Sequence, residues 1–187
     1  MKNQNRIVLS LGSNIGDRLK TIQLCIDSIH NTVATVVKVS KVYETPSWGF
    51  ESEPFYNCAL LIHSSKSPQK LLSSFLSLEK KMGRERKVAQ NYEARVIDID
   101  IISVNEEIIT TEILKVPHPE MQNRNFVLYP MNDLNLNWEH PLLKKSVSEL
   151  LASSSDKSEC ITIEKLVSPI EKLNVQQLNY IAIEGNI

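Results

Sequence analysis

Between residues 96 and 102 the chain reads Val96-Ile97-Asp98-Ile99-Asp100-Ile101-Ile102, and this alternation of isoleucine and aspartate constrains the fold more than any other stretch. Side chains alternate across a strand, so Ile97, Ile99 and Ile101 share one face and Asp98 and Asp100 the other. The two aspartate Cα atoms then stand roughly 6.5–7 Å apart. Acids among β-branched residues call for a counter-charge. Carboxylates at this spacing suit one or two Mg²⁺ ions, which take a few carboxylates beside water and phosphate oxygens. The same pattern also describes a sheet face that is simply wet.

Other elements follow from periodicity. Arg6–Leu11 reads as a strand, followed by the turn-rich Gly12-Ser13-Asn14-Ile15-Gly16-Asp17. Leu19, Ile22, Cys25, Ile26 and Ile29 recur at helical spacing. Val33–Tyr43 and Phe55–His63 read as strands, separated by a loop with Gly49 and Pro54. A second helix has Ser67 as its cap, Pro68 in its first turn and Gly83 at its end. Leu71, Phe75, Leu78 and Met82 form its apolar stripe. After Val96–Val104, a turn at Asn105-Glu106 leads into an expected hairpin partner, and Asn125–Asp133 reads as a short helix. Ser146-Val147-Ser148-Glu149 has capping-box spacing before a last short helix. Helices and strands mixed without regular βαβ spacing favour an α+β fold. The Ser-rich run 152–158 reads as a linker, leaving 159–187 as a tail.

Charge sharpens the reading of the paired acids. Residues 80–95 hold Lys80, Lys81, Arg84, Arg86, Lys87 and Arg95, six of the 21 basic residues of the chain. Guanidinium groups bind phosphate oxygens bidentately, and a metal on nearby carboxylates would complete a polyphosphate clamp. A solvated basic loop is the plainer alternative. His118, between Pro117 and Pro119, lies in a rigid loop beside Arg124 and Phe126. Thr45-Pro46 and Phe55-Tyr56-Asn57 offer polar groups beside aromatic rings, which suits a flat heterocycle stacked on its faces and read at its edge.

Composition excludes several classes. The net charge of −1 argues against a whole-surface nucleic-acid binder. The longest apolar run, Cys58-Ala59-Leu60-Leu61-Ile62, is too short for a bilayer, and Met1–Arg6 contains no signal-peptide core. Cys25, Cys58 and Cys160 form no CxxC pair, so a disulfide framework is not expected and a reducing cytoplasm is.

In order along the chain, seven segments resemble the 6-hydroxymethyl-7,8-dihydropterin pyrophosphokinase family of the folate pathway. They are Leu9-Ser10-Leu11-Gly12-Ser13-Asn14, Tyr43-Glu44-Thr45-Pro46, Phe55-Tyr56-Asn57 and Glu79-Lys80-Lys81-Met82-Gly83-Arg84-Glu85-Arg86. The series continues with Arg95-Val96-Ile97-Asp98-Ile99-Asp100, Val116-Pro117-His118 and Asn123-Arg124-Asn125-Phe126. The resemblance implies a ferredoxin-like fold with a central antiparallel sheet flanked by helices, over a domain spanning 1–151. It implies pyrophosphoryl transfer from ATP to the pterin hydroxymethyl oxygen, releasing AMP, with ATP and the pterin as small-molecule partners. Asp98 and Asp100 would hold two Mg²⁺ ions. Arg84 and Arg95 would stabilise charge on the transferred group and, with Arg86, His118 and Arg124, hold ATP. Phe55 and Phe126 would sandwich the pterin, while Thr45, Pro46 and Asn57 complete its pocket.

Some positions depart from the family. Asn91-Tyr92-Glu93-Ala94 stands where a basic-Trp-Gly-Pro run is usual, and the loop from Arg86 to Arg95 is one residue longer. Leu76 and Trp48 also differ from frequent choices. The alternative is a non-catalytic nucleotide- or pterin-binding module with an altered loop. An RNA-binding domain of the RRM class is a poorer match, because the aromatic-rich strand signature is missing. Tyr180-Ile181-Ala182-Ile183-Glu184-Gly185-Asn186-Ile187 resembles the opening of a deoxynucleoside kinase, whose phosphate loop would need a later Gly and Lys. The expectation drawn from it is a longer, bifunctional parent protein.

Overall fold

The computed structural model describes residues 4–47, 52–84 and 94–169. Strand β1 (Asn5–Ser13) lies in a six-stranded sheet between β4 (Phe55–Ser64) and the edge strand β5 (Asp98–Val104). Both neighbours run antiparallel to it. On its far side β4 pairs antiparallel with β2 (Thr35–Val39) and β3 (Lys41–Thr45). Helices on both faces of this antiparallel sheet give the expected α+β, ferredoxin-like class.

One face carries the larger core. Ile7, Leu9 and Leu11 of β1, Leu60 and Ile62 of β4, and Ile99 and Ile101 of β5 pack there against two helices. Helix α1 (Arg18–Thr32) contributes Ile22, Cys25, Ile26 and Ile29, and is capped by Asp17, whose side chain accepts from Lys20 N. Helix α2 (Pro68–Lys81) contributes Leu71, Phe75 and Leu78, starts at the Ser67 cap and ends before Gly83 at φ +95°. That left-handed backbone favours glycine, as a helix C-terminus often requires. Cys25 and Cys58 are free and buried.

The opposite face is covered over only part of its length. Val8, Ala59, Leu61 and Ile102 pack against helix α3 (Asn125–Asp133) and helix α4 (Val147–Ala152). The α4 capping box is formed, with Ser146 and Glu149 bonding reciprocally. Ser10, Gly12, Asn57, Asp98 and Asp100 continue this face beyond the helices, and there a cavity opens.

Two expectations differ from the structure. The single strand 33–43 is two strands, divided at buried Ser40, whose Oγ accepts from Ala59 N at 2.8 Å and whose N–H donates to Ala59 O at 3.0 Å. The hairpin partner expected for β5 is absent among the described residues. Instead β6 (Ile109–Thr110) pairs with β7 (Lys115–Val116) in a separate two-stranded sheet. Asn105 turns the chain back on β1, exchanging bonds with the Arg6 backbone at 2.8 and 2.9 Å. Farther along, β8 (Ile161–Lys165) pairs with β3 and extends the main sheet. A free edge of β3 offered unpaired backbone groups, and pairing satisfies them. No helix among the described residues is long and apolar enough to cross a membrane. The kinase-like ending at 180–187 lies outside the described residues.

Candidate active site

The register of the sheet assembles the site. Gly12 of β1 stands opposite Asn57 on one side and Asp98 on the other, and Ser10 stands opposite Asp100. Residues directly paired across strands point to one face. Two small residues in the middle strand thus leave an open floor between an amide and two carboxylates. A Cβ added to Gly12 would meet Asn57 Oδ1 at 3.0 Å and Phe55 Cδ1 at 3.6 Å, so this position needs glycine for close approach.

Around that floor lies an open cavity of about 590 Å³. Its apolar side holds Pro46, Phe55 and Phe126; its polar side holds Thr45, Asn57, Arg95, Asp98, Asp100 and Arg124. Asn57 Nδ2 donates to Thr45 Oγ1 at 2.8 Å, and both residues are buried, so the polar edge is rigid. The Arg124 guanidinium carbon stands 5.8 Å from the Phe126 ring centroid. One cavity therefore brings together two of the predicted clusters, the aromatic slot and the acids.

Asp98 is the hub of the charges. Arg84 donates to its Oδ1 and Arg95 to its Oδ2. Arg84 also pairs with Glu79, a fully buried carboxylate whose Oε1 accepts from Ile99 N at 2.8 Å. Burial opposes the charge on Arg84, but the Asp98 and Glu79 carboxylates outweigh it and raise its pKa. Burial first, then the neighbouring Asp98 charge, pushes the Asp100 carboxyl upward. His118 is held below its ordinary pKa by burial and by Arg124. Its Nδ1 accepts from Glu120 N at 3.2 Å, which leaves Nε2–H as the donor of the neutral ring. His118 is not among the cavity-lining residues, and Arg84 joins the cavity through Asp98. Arg86, Trp48 and residues 91–93 of the altered loop lie outside the described residues.

Besides Ser10 and Gly12 on the floor, two residues of the site carried no assigned role in the sequence. Glu79 was legible in principle, since it falls four residues after Phe75 on the apolar stripe of α2. An acid on an inward helix face needs a partner. Asn14 gave no such signal. Its Oδ1 accepts from Arg95 N at 2.6 Å and its N–H donates to Arg95 O at 3.0 Å. Its Nδ2 donates to Ser52 Oγ at 2.9 Å and Glu53 O at 3.2 Å. Asn14 thus ties the Arg95 backbone to the loop preceding Phe55.

The donor set fits a hard divalent cation: two carboxylate side chains on one strand face, opening into a cavity that can admit further oxygen ligands. No cluster of three or more His, Cys, Asp or Glu groups arranged for a metal exists among the described residues. Any cation here would complete its shell from substrate and water.

Comparison with known proteins points the same way. The family model described as 7,8-dihydro-6-hydroxymethylpterin-pyrophosphokinase matches residues 8–136. A 2-amino-4-hydroxy-6-hydroxymethyldihydropteridine pyrophosphokinase of Aquifex aeolicus is 36% identical over 159 residues, covering 84% of this chain and 98% of the relative. The protein of the same description from Bacillus subtilis is 41% identical over 132 residues, covering 70% of this chain and 78% of its own. A solved wild-type Plasmodium falciparum HPPK-DHPS with pterin and p-hydroxybenzoate superimposes with a TM-score of 0.63 at 16% identity, over 80% of this chain. That likeness is one of fold. This chain spans 42% of that longer protein.

Proposed function

Since the chain belongs to the 7,8-dihydro-6-hydroxymethylpterin-pyrophosphokinase family, we propose that its open cavity is where ATP and a pterin alcohol meet. The protein is an ATP-dependent pyrophosphokinase of folate biosynthesis. It transfers pyrophosphate from ATP to 6-hydroxymethyl-7,8-dihydropterin, giving the pterin diphosphate and AMP. The observation that carries the assignment of residues is the cross-strand row Asn57–Gly12–Asp98, which sets a rigid amide on one side of a glycine and a carboxylate on the other.

The pterin ring would lie between Phe55 and Phe126, with Thr45 and Asn57 reading its edge and Pro46 closing one side. Aromatic stacking and area supply affinity, and the fixed amide supplies orientation. Its hydroxymethyl group would then project across Gly12 toward Asp98 and Asp100. Those two carboxylates would hold two Mg²⁺ ions, which when bound neutralise triphosphate charge and lower the barrier to displacement at phosphorus.

Arg84 and Arg95 rest on Asp98 in the structure. Phosphate oxygens offer them an equally strong bidentate partner. Arriving ATP would draw the two guanidiniums onto the transferred group and release the Asp98 oxygens. Arg124, Arg86 and the Nε2–H of His118 would hold the rest of the triphosphate. No side chain need act as a general base, because positioning and electrostatics dominate this class of transfer.

The test is formation of AMP from ATP, Mg²⁺ and 6-hydroxymethyl-7,8-dihydropterin, compared between wild type and Phe126→Ala. Stacking loss of roughly 1–3 kcal/mol should appear in the pterin Kd and leave an ATP analogue little changed. Equal loss of both ligands would move the pterin away from Phe126.

A further inference from the structure

We infer that Asp156 is a positioning residue for both substrates: it holds the helix turn that carries Arg124 and Phe126. The inference rests on reading Arg124 as an ATP contact and Phe126 as a pterin contact. Asp156 lies in the Ser-rich segment that reads as a linker and outside the span matched by the family model.

The first N–H groups of a helix have no partner inside it. Helix α3 begins at Asn125, and the preceding Arg124 makes no side-chain capping bond. Asp156 supplies the missing acceptor from 31 residues away, taking the Asn125 N–H on Oδ2 at 2.7 Å. A second bond runs beside it, from Asn125 Nδ2 to the Asp156 carbonyl at 2.9 Å. The other carboxylate oxygen, Oδ1, accepts from Ser158 N at 2.8 Å. One side chain therefore bridges the helix start and its own loop. Its negative charge also sits at the favourable end of the helix dipole.

That loop is itself anchored. Strand β8 follows it and pairs with β3, the strand that ends at Thr45 on the cavity. Beyond β8, Val167 exchanges two backbone bonds of 3.3 Å with the Gln23 side chain on α1. Asp156 thus fastens α3 to a fixed support. Asn125 lies between the two cavity residues in sequence, so a shift of this turn displaces the Arg124 and Phe126 side chains together.

The signature is a paired loss. Calorimetric titration of Asp156→Ala should show the Kd of a non-hydrolysable ATP analogue, and that of the pterin with the analogue saturating, both raised about fivefold. The number of binding sites per chain should stay at the wild-type value. Asp156→Asn keeps one acceptor oxygen and should lose about twofold on both ligands. Wild-type Kd values in the alanine variant, with or without fewer active sites, would overturn the inference, since a purely stabilising cap lowers the folded fraction and not the affinity. If Asp156→Ala does not fold, the asparagine variant decides: a graded loss of both ligands supports the brace, and unchanged values overturn it. Arg124→Ala and Phe126→Ala, titrated in parallel, keep the two readings apart. Each should weaken its own ligand alone; if neither does, the reading of the two contacts falls and the inference falls with it, whereas those losses beside wild-type affinities in Asp156→Ala overturn the inference alone.

Discussion

Gly12 faces Asn57 so closely that a Cβ on the glycine would stand 3.0 Å from the Asn57 amide oxygen. Asn57 is buried and already bonded to Thr45 at 2.8 Å, so it has little room to yield. Overpacking of this kind costs about 1–3 kcal/mol. Gly12→Ala should therefore raise the pterin KM by about tenfold while the KM for ATP changes little. Steady-state kinetics with each substrate varied in turn check this, and an ATP effect of equal size would contradict it.

Asp98 and Asp100 share the cavity face of β5, whereas Ile97, Ile99 and Ile101 are buried. Replacing either acid with alanine leaves that core untouched. We expect Asp98→Ala and Asp100→Ala to fold and to lose several orders of magnitude in turnover. Circular dichroism together with kcat at saturating Mg²⁺ tests the pair. Unchanged kcat in both would end the assignment of the metal ligands.

Glu79 is 1% exposed and serves Ile99 N and Arg84 at once. Glu79→Ala strands a buried N–H and removes one of the two carboxylates on Arg84. Breaking such a buried pair costs about 3–5 kcal/mol. Urea unfolding should show a loss of that order, and Glu79→Gln, which keeps an acceptor for Ile99, should lose distinctly less. Equal stability of the two variants would contradict the shared-carboxylate account.

Asn14 links two segments by opposite ends of one amide. Its oxygen accepts from Arg95 N and its nitrogen donates to Ser52 and Glu53. Asn14→Ala should therefore lower kcat and raise the pterin KM together. Ser52→Ala removes a single bond on the loop side and should change the pterin KM alone, by less than about fivefold. A kcat effect in Ser52→Ala would show that the two segments are coupled by another route.

Asp156 also predicts a pH dependence. Burial alone would raise its pKa, but the Ser158 side chain, together with the N–H groups of Asn125 and Ser158, holds it below its ordinary value. The native state thus takes up a proton less readily than the unfolded chain, so this carboxylate stabilises at neutral pH. Its contribution declines as pH falls below the unfolded value and is gone once the depressed native pKa is passed. Thermal unfolding between about pH 6 and pH 3 should show a smaller acid-induced drop in Tm for Asp156→Asn than for wild type. Parallel curves would remove the linkage.

Local sequence determined much of the architecture. The α3 bounds, the Ser67 cap, the capping box at Ser146 and the inward isoleucines of β5 all follow from periodicity and capping chemistry, which act over a few residues. The cavity residues Thr45, Pro46, Phe55, Asn57, Arg95, Asp98, Asp100, Arg124 and Phe126 were each marked by residue type within short segments. Only the tertiary structure decided that they meet. Strand register places Gly12 between Asn57 and Asp98, and register is set by burial of a whole face across β1, β4 and β5. The same holds for Asn14 and Asp156. An amide or carboxylate chooses its partner by distance in space, and bonds that span 81 and 31 residues leave no periodic trace in the chain.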